Sequence, residues 1–158
     1  MTVTSPTSMQ IITLLISHER HMGKLYTAYR DAFPAQQEFW ESLIREEEFH
    51  AELIEETAEI IRNDNGIFAE SRFRLLALEK ATIYIDEEID KAVKGKVTPI
   101  EAISVAYYLE KSLFEQNFYD IFSLNIGVVN ALFTDMKGMV QEHIARVEEM
   151  REKMHRQK

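Results

Sequence analysis

The chain has 158 residues, 46% of them hydrophobic and 28% charged, which is the size and composition of one globular domain with a substantial core. Its net charge of −9 disfavours sequence-independent binding to nucleic acid, because phosphates repel an acidic surface that lacks a concentrated basic patch. The absence of cysteine excludes disulfides, thiolate nucleophiles, cysteine-ligated zinc and iron–sulfur clusters.

The hydropathy of the chain and its first residues indicate where in the cell the protein is expected. No stretch approaches the roughly 20 apolar residues that a membrane span requires, so no membrane partner is expected. Residues 1–8 lack the basic start of a signal peptide and are predicted to be a flexible lead-in to a single domain over residues 1–158. The sequence therefore predicts a cytoplasmic protein.

Turn-forming residues divide the chain into five predicted helices. The first ends before Pro34, the third closes at Gly95, and Thr98 opens the fourth with a capping-box pattern that Glu101 completes. The predicted helices span approximately residues 7–32, 34–62, 69–94, 98 to near 123–127, and 128 into the tail. Helices this numerous, with so few glycines and prolines, predict an all-α fold.

Four of the five helices carry an apolar stripe that steps by three and four residues and has a polar residue at mid-height. The stripe of the first helix is Ile12, Leu15, Glu19, Met22, Tyr26 and Tyr29, and that of the second is Trp40, Leu43, Glu47, His50, Ile54, Thr57 and Ile61. The stripe of the fourth helix is Ile103, Ala106, Glu110, Leu113, Asn117 and Ile121. The stripe of the fifth helix is Val129, Phe133, Met136, Val140, His143, Val147, Met150 and Met154. Antiparallel packing of these helices is expected to bring the polar residues to one level of the core.

The order of these polar residues repeats along the chain. His50 follows Glu19 by 31 residues, and His143 follows Glu110 by 33 residues, so each half is predicted to be a helical hairpin with a glutamate and a histidine. The third helix falls between the halves. At about 1.5 Å per residue it is long enough to return the chain along the whole bundle, although covering the bundle and forming a dimer surface are also open to it.

Glu47 and His50 are the strongest indication of chemistry. A carboxylate and an imidazole at core positions need a partner, because an unpaired buried charge is very costly. Residues three apart lie on one helix face and can bind the same metal ion, although a buried pair satisfied by hydrogen bonds is an alternative.

The joint pattern resembles the ferritin-like superfamily and, within it, the rubrerythrin-like four-helix di-iron carboxylate domain. The residues that carry the resemblance are Glu19 and Tyr26 in SHERHMGKLY, Glu47 and His50 in WESLIREEEFH, Glu110 in AISVAYYLEK, and His143 in MVQEH. The resemblance implies a ferritin-like four-helix bundle with an additional crossover helix between the second and third helices of the bundle.

The resemblance also implies a function. Glu47 would bridge two ions, Glu19 and Glu110 would be terminal ligands, and His50 and His143 would supply nitrogen. The expected cofactor is iron, as one or two ions, with manganese or zinc as alternatives, and the expected substrate is dioxygen or peroxide. Without the cysteine-bound rubredoxin iron of rubrerythrins, reductive turnover would require an external electron donor. A homodimer is a further expectation.

Val140 departs from the family pattern, which has a second bridging glutamate three residues before the histidine. Valine binds no metal, so the sequence leaves a dinuclear site, a weakened second position and a mononuclear site all open. The alternative function is a non-catalytic helical bundle with a degenerate site, acting as a scaffold or interaction module. His18 and His21 lie off the stripe and are predicted at the surface or behind the ligands, whereas Tyr26 is either a donor to a ligating carboxylate or a core residue.

Overall fold

The computed structural model describes residues 8–62, 72–115 and 127–157, and in these ranges the chain is helical without strands, which confirms the all-α prediction. The helices are α1 (Ser8–Ala32), α2 (Gln37–Arg62), α3 (Arg72–Val93), α4 (Pro99–Glu115) and α5 (Gly127–Arg156). Six predicted stripe positions have side chains outside the described set, namely Ile61, Leu113, Asn117, Ile121, Val129 and Phe133. None of the described helices combines the length and apolar character needed to cross a membrane.

The reversal between α1 and α2 is set by Pro34. The residue before a proline is excluded from the helical region, and Phe33 accordingly adopts φ −128° and ψ 76°. Pro34 then opens a short 3-10 helix, Pro34–Gln36, which leads directly into α2. The predicted second helix therefore begins with a 3-10 turn and becomes α-helical at Gln37.

The turn between α3 and α4 depends on Gly95, which has a left-handed φ of +67°. Its N–H donates to the carbonyl of Ala92 at 3.1 Å, and the N–H of Lys96 donates to the carbonyl of Lys91 at 2.9 Å. These two bonds form a Schellman motif, in which glycine is favoured because it lacks a Cβ atom.

The predicted capping box at the start of α4 is confirmed. The backbone N–H of Thr98 donates to Glu101 Oε2 at 2.8 Å, and the N–H of Glu101 donates to Thr98 Oγ1 at 3.2 Å. The pKa of Glu101 is lowered by its hydrogen bonds with the backbone and side chain of Thr98. The start of α4 is thus encoded locally, in four consecutive residues.

The buried apolar residues form two clusters. The upper cluster contains Ile11, Ile12, Leu15, Ile54, Ala58, Leu78, Met136 and Val140. The lower cluster contains Met22, Leu25, Tyr26, Tyr29, Trp40, Leu43, Ile85, Ala92, Ala102, Ile103, Ala106, Leu109 and Val147. Buried polar residues of α1, α2, α4 and α5 lie between the two clusters, whereas Thr57 of α2 lies at the upper cluster and Glu88 of α3 lies at the lower cluster.

The order of the clusters along each helix gives the directions of the helices. In α1, α3 and α5 the upper-cluster residues precede the lower-cluster residues, whereas α2 has the reverse order and α4 rises from the lower cluster into the polar layer. Helix α1 packs against α2 and α3, α4 packs against α5, and α2 contacts α5. Neighbouring helices α1 and α2, and likewise α4 and α5, are therefore antiparallel.

Two glycine-to-alanine substitutions should change stability in opposite directions. Gly95→Ala should destabilise the protein by about 1–2 kcal/mol, because alanine is strained at a left-handed φ even where its Cβ has open space. Gly138→Ala, inside α5 and equally uncrowded, should stabilise it by about 0.5–1 kcal/mol through helix propensity. Urea unfolding of both variants checks the pair, and a change of the same sign in both would contradict this account of the turn.

Candidate metal centre

The five residues that the sequence predicts as ligands lie together in the polar layer between the upper and lower clusters. Each is at most 5% exposed, and they come from four helices: Glu19 from α1, Glu47 and His50 from α2, Glu110 from α4, and His143 from α5. Buried apolar residues lie one turn before and after Glu19, His143 and the Glu47–His50 pair, and one turn before Glu110. The five residues lie at the same height in the core because each apolar stripe has its polar residue near the middle of the helix.

Glu47 lies at the centre of this group and faces a different imidazole with each oxygen. Its Oε2 is 3.8 Å from His50 Nδ1, and its Oε1 is 3.5 Å from His143 Nδ1. The two imidazole rings have their centroids 6.2 Å apart. The Glu47 carboxylate therefore lies between two nitrogen donors from different helices.

The other two carboxylates lie beside the two histidines. Glu19 Oε2 is 3.9 Å from His50 Nδ1, and Glu110 Oε1 is 3.3 Å from His143 Nε2. Glu110 Oε1 also accepts a hydrogen bond of 2.5 Å from the buried Tyr26 hydroxyl. The interpretation of Tyr26 as a donor to a buried carboxylate is thus confirmed, and this hydrogen bond links α1 to α4.

Burial and like charges make the metal-free layer electrostatically unfavourable. Burial is the main reason that the pKa of Glu47 is raised well above its usual value, and the neighbouring carboxylates of Glu110 and Glu19 raise it further. The pKa of Tyr26 is raised by burial and by Glu110, so the phenol stays protonated and acts as a donor. Protons or a bound cation must therefore compensate the negative charge of this layer.

Several ligand atoms in the layer have unused bonding capacity. Within the described part of the chain, Glu47 Oε1 and both ring nitrogens of His143 are buried without a hydrogen-bond partner. Glu47, His50 and His143 present ligand atoms that all lie within 4.8 Å of one another. Buried polar atoms are ordinarily satisfied, and two of these atoms, Glu47 Oε1 and His143 Nδ1, face each other at 3.5 Å, which fits a bound ion between them. Carboxylate oxygen and imidazole nitrogen suit Fe(II), Mn(II) and Zn(II).

Val140 lies where the family pattern has a second bridging glutamate, and it is 1% exposed within the upper cluster. Its side chain packs with Met136 and with upper-cluster residues of other helices. The valine therefore extends the apolar cluster to the edge of the polar layer, and no carboxylate enters from this position.

The histidines beside Glu19 differ in their surroundings. His18 is 2% exposed, its Nδ1 has no hydrogen-bond partner, and burial lowers its pKa, so it is not the surface residue that one reading of the sequence allows. A second spacing could have revealed it, because Ile11, His18 and Leu25 recur every seven residues on α1. His21 is half-buried, hydrogen-bonds the carbonyl of Ser17 and lies 3.6 Å from Asp86 of α3, away from the five residues.

Glu46 of α2 was not predicted as a site residue from the sequence, yet its side chain reaches His143 on α5. Its Oε2 lies 3.4 Å from His143 Nδ1, and the same oxygen is hydrogen-bonded by Arg146. Glu46 is half-exposed at the start of the acidic run 46–48, and it nevertheless contacts a buried histidine.

A surface cleft of about 370 Å³ between α1 and α2 reaches the site at Glu19. Gly23 and Ile44 line its wall, and Lys24 and Glu48 bring opposite charges to it. A Cβ atom at Gly23 would lie 3.8 Å from the Cβ of Glu47, an ordinary van der Waals distance, so α1 and α2 are close neighbours at this level. The cleft is a path by which small molecules or ions could reach Glu19 from solvent.

Glu47→Gln should stabilise the metal-free protein at neutral pH by about 1–3 kcal/mol, because it removes a buried charge without changing the shape of the side chain. The pKa of Glu47 is raised in the folded state, so its contribution to stability is present at low pH and is lost as the pH rises through that pKa. The gain of the variant over wild type should therefore grow from acidic to neutral pH. Urea unfolding of chelator-treated protein measures this gain, with the exposed Glu52→Gln as control. A gain that is independent of pH would contradict the assignment.

Comparison of the chain with models of protein families, with curated proteins and with solved structures finds no match. A function for this chain is therefore inferred from the side chains of the polar layer. Their number, burial and separations are the observations from which a function can be inferred.

Proposed function

We propose that the chain is a ferritin-like, metal-binding helical bundle with iron as its ion. The observation that carries this proposal is the convergence of three carboxylates and two imidazoles from four helices around Glu47, with unpartnered ligand atoms at its centre. Three neighbouring buried carboxylates raise the free energy of the metal-free layer, and a divalent cation bound among them would lower it.

The order of the helices supports the ferritin-like architecture. Helices α1, α2, α4 and α5 contribute the polar layer, whereas α3 contributes only apolar residues to the two clusters and packs on α1. Helix α3 runs from the upper to the lower cluster and leads to the end at which α4 begins. These positions support a four-helix bundle whose two hairpins are joined by a crossover helix.

The residues of the layer have distinct roles in this proposal. Glu47 faces both histidines and would bridge two ion positions, with Glu19 beside His50 and Glu110 beside His143. Tyr26 holds the Glu110 carboxylate in place, as hydrogen bonds to metal ligands commonly do. The apolar clusters on either side exclude water from the layer.

A ferrous ion held here would supply electrons to dioxygen or peroxide, the reaction that the family resemblance implies. The cleft at Glu19 would admit such small molecules to the edge of the layer. The chain has no cysteine, so any electrons that restore the ferrous state would come from an external donor. Metal ligation, not a nucleophile or a general base, would carry the chemistry.

Anaerobic titration with Fe(II) tests metal binding through thermal stability. An ion that binds only the folded state at one hundred times its Kd stabilises it by about 2.7 kcal/mol, which is about 5–10 °C in Tm for a chain of this length. Wild type should show this shift, and Glu47→Ala should abolish it because both proposed positions share Glu47. Glu52→Ala, on the exposed face of the same helix, should leave the shift unchanged.

The outcomes separate the functions under consideration. A shift in Tm followed by a ferric absorption band on exposure to air supports an iron centre that reacts with dioxygen. A shift without the band supports a metal-binding protein that does not react with oxygen. An unchanged Tm in wild type, or an equal shift in Glu47→Ala, would contradict the proposed site and favour the non-catalytic bundle with a degenerate site.

A further inference from the structure

We propose that Glu46 supplies the carboxylate that Val140 lacks and, with His143 and Glu47, completes a second metal position. This inference rests on the proposed function and extends it, because it assigns a ligand that the family pattern does not contain. It also predicts that the site holds two ions.

The geometry around His143 Nδ1 is the first observation. Two carboxylate oxygens from consecutive residues approach this nitrogen at nearly equal distances, Glu46 Oε2 at 3.4 Å and Glu47 Oε1 at 3.5 Å. Consecutive residues point about 100° apart around a helix, so Glu47 enters through the core and Glu46 enters along the edge that faces α5. Ligands bound to one ion at about 2.1 Å lie roughly 3 Å apart, close to these separations.

The bonding state of His143 is the second observation, and it is independent of the acidic residues. The His143 side chain is 0% exposed, and neither ring nitrogen has a hydrogen-bond partner in the described part of the chain. The contact with Glu46 is therefore close without satisfying the nitrogen. An imidazole that is buried and unsatisfied on both sides costs free energy, and an ion at Nδ1 would remove part of that cost.

The other side of the His143 ring fits the same assignment. Nε2 lies 3.3 Å from Glu110 Oε1, and Glu110 is held by the hydroxyl of Tyr26. A carboxylate beside the second nitrogen of a metal-bound histidine commonly orients the ring and selects its tautomer. In this extension of the proposal Glu110 orients His143 through Nε2 instead of binding the ion, so the nitrogen available to an ion is Nδ1, which faces Glu46 and Glu47.

Charge balance also favours a fourth carboxylate. Glu19, Glu47 and Glu110 together carry three negative charges when ionised, whereas two divalent ions carry four positive charges. Glu46 would bring the count to four at the position where Val140 contributes none. Arg146, one turn beyond His143 on α5, hydrogen-bonds the Glu46 carboxylate and balances its charge in the metal-free protein.

The experiment counts ions by anaerobic equilibrium dialysis against Fe(II), followed by elemental analysis of the protein. Wild type should hold two irons per chain, and Glu46→Gln should hold one. The matched control is Glu55→Gln, which should retain two irons. This change removes the exposed Arg20–Glu55 ion pair, which links α2 to α1 as the Glu46–Arg146 ion pair links α2 to α5. Melting of the two metal-free variants should be alike, because each loses one exposed ion pair.

A further variant distinguishes the carboxylate from its ion pair. Arg146→Gln keeps the Glu46 carboxylate and removes its partner, and it should still hold two irons. A loss of one iron in Arg146→Gln equal to the loss in Glu46→Gln would show that the link between α2 and α5, not the carboxylate, carries the second ion, and would overturn the inference.

The remaining outcomes separate the inference from the function on which it rests. No iron in wild type overturns both. One iron in wild type leaves the proposed function standing and overturns the second position. Two irons in wild type and two in Glu46→Gln also overturn the assignment of Glu46 as a ligand.

Discussion

The burial of three carboxylates and two imidazoles in one layer is the constraint on which the rest of this structure depends. Glu47 lies between Glu19 and Glu110, and burial together with those neighbours disfavours its ionised form. A helical bundle that packs such a layer between two apolar clusters must neutralise it with protons or with a cation. The clusters stabilise the fold, and the layer between them gives the bundle a place to hold an ion.

Binding of the proposed ion would couple to folding, because the proposed ligands come from both hairpins. Helix α1 approaches α2 closely at Gly23, and the Tyr26–Glu110 hydrogen bond crosses from the first hairpin to the second. An ion bound to Glu47, His50 and His143 would hold α2 against α5, a pair whose backbones make few close approaches compared with those of α1 and α2. Metal binding in such a site contributes directly to the stability of the fold.

If Glu46 supplies the carboxylate that the family resemblance places at Val140, the proposed site keeps four carboxylates but loses the symmetry of its two ion positions. A glutamate at residue 140 would enter the layer from the core side of α5, where the valine instead closes the upper cluster. Glu46 enters from the solvent edge and is half-exposed, so the second position would lie nearer to the surface than the first. On this view the two positions differ in access to solvent, which would make the second ion the more readily exchanged.

The sequence by itself determined the helical class, the start of α4 and the five residues that share the polar layer, because these depend on local periodicity and capping. Residues that face a core recur every three or four positions, and that rule placed Glu19, Glu47, His50, Glu110 and His143 in one layer. Only the tertiary structure decided the contacts of Glu46, and it showed that the second row of α1, which contains His18, is buried as well. His18 is buried because α1 packs against both α2 and α3, so its buried face is wider than one stripe. Glu46 meets Arg146 across 100 residues of sequence, a contact that depends on how α5 is rotated against α2 and that no local pattern encodes.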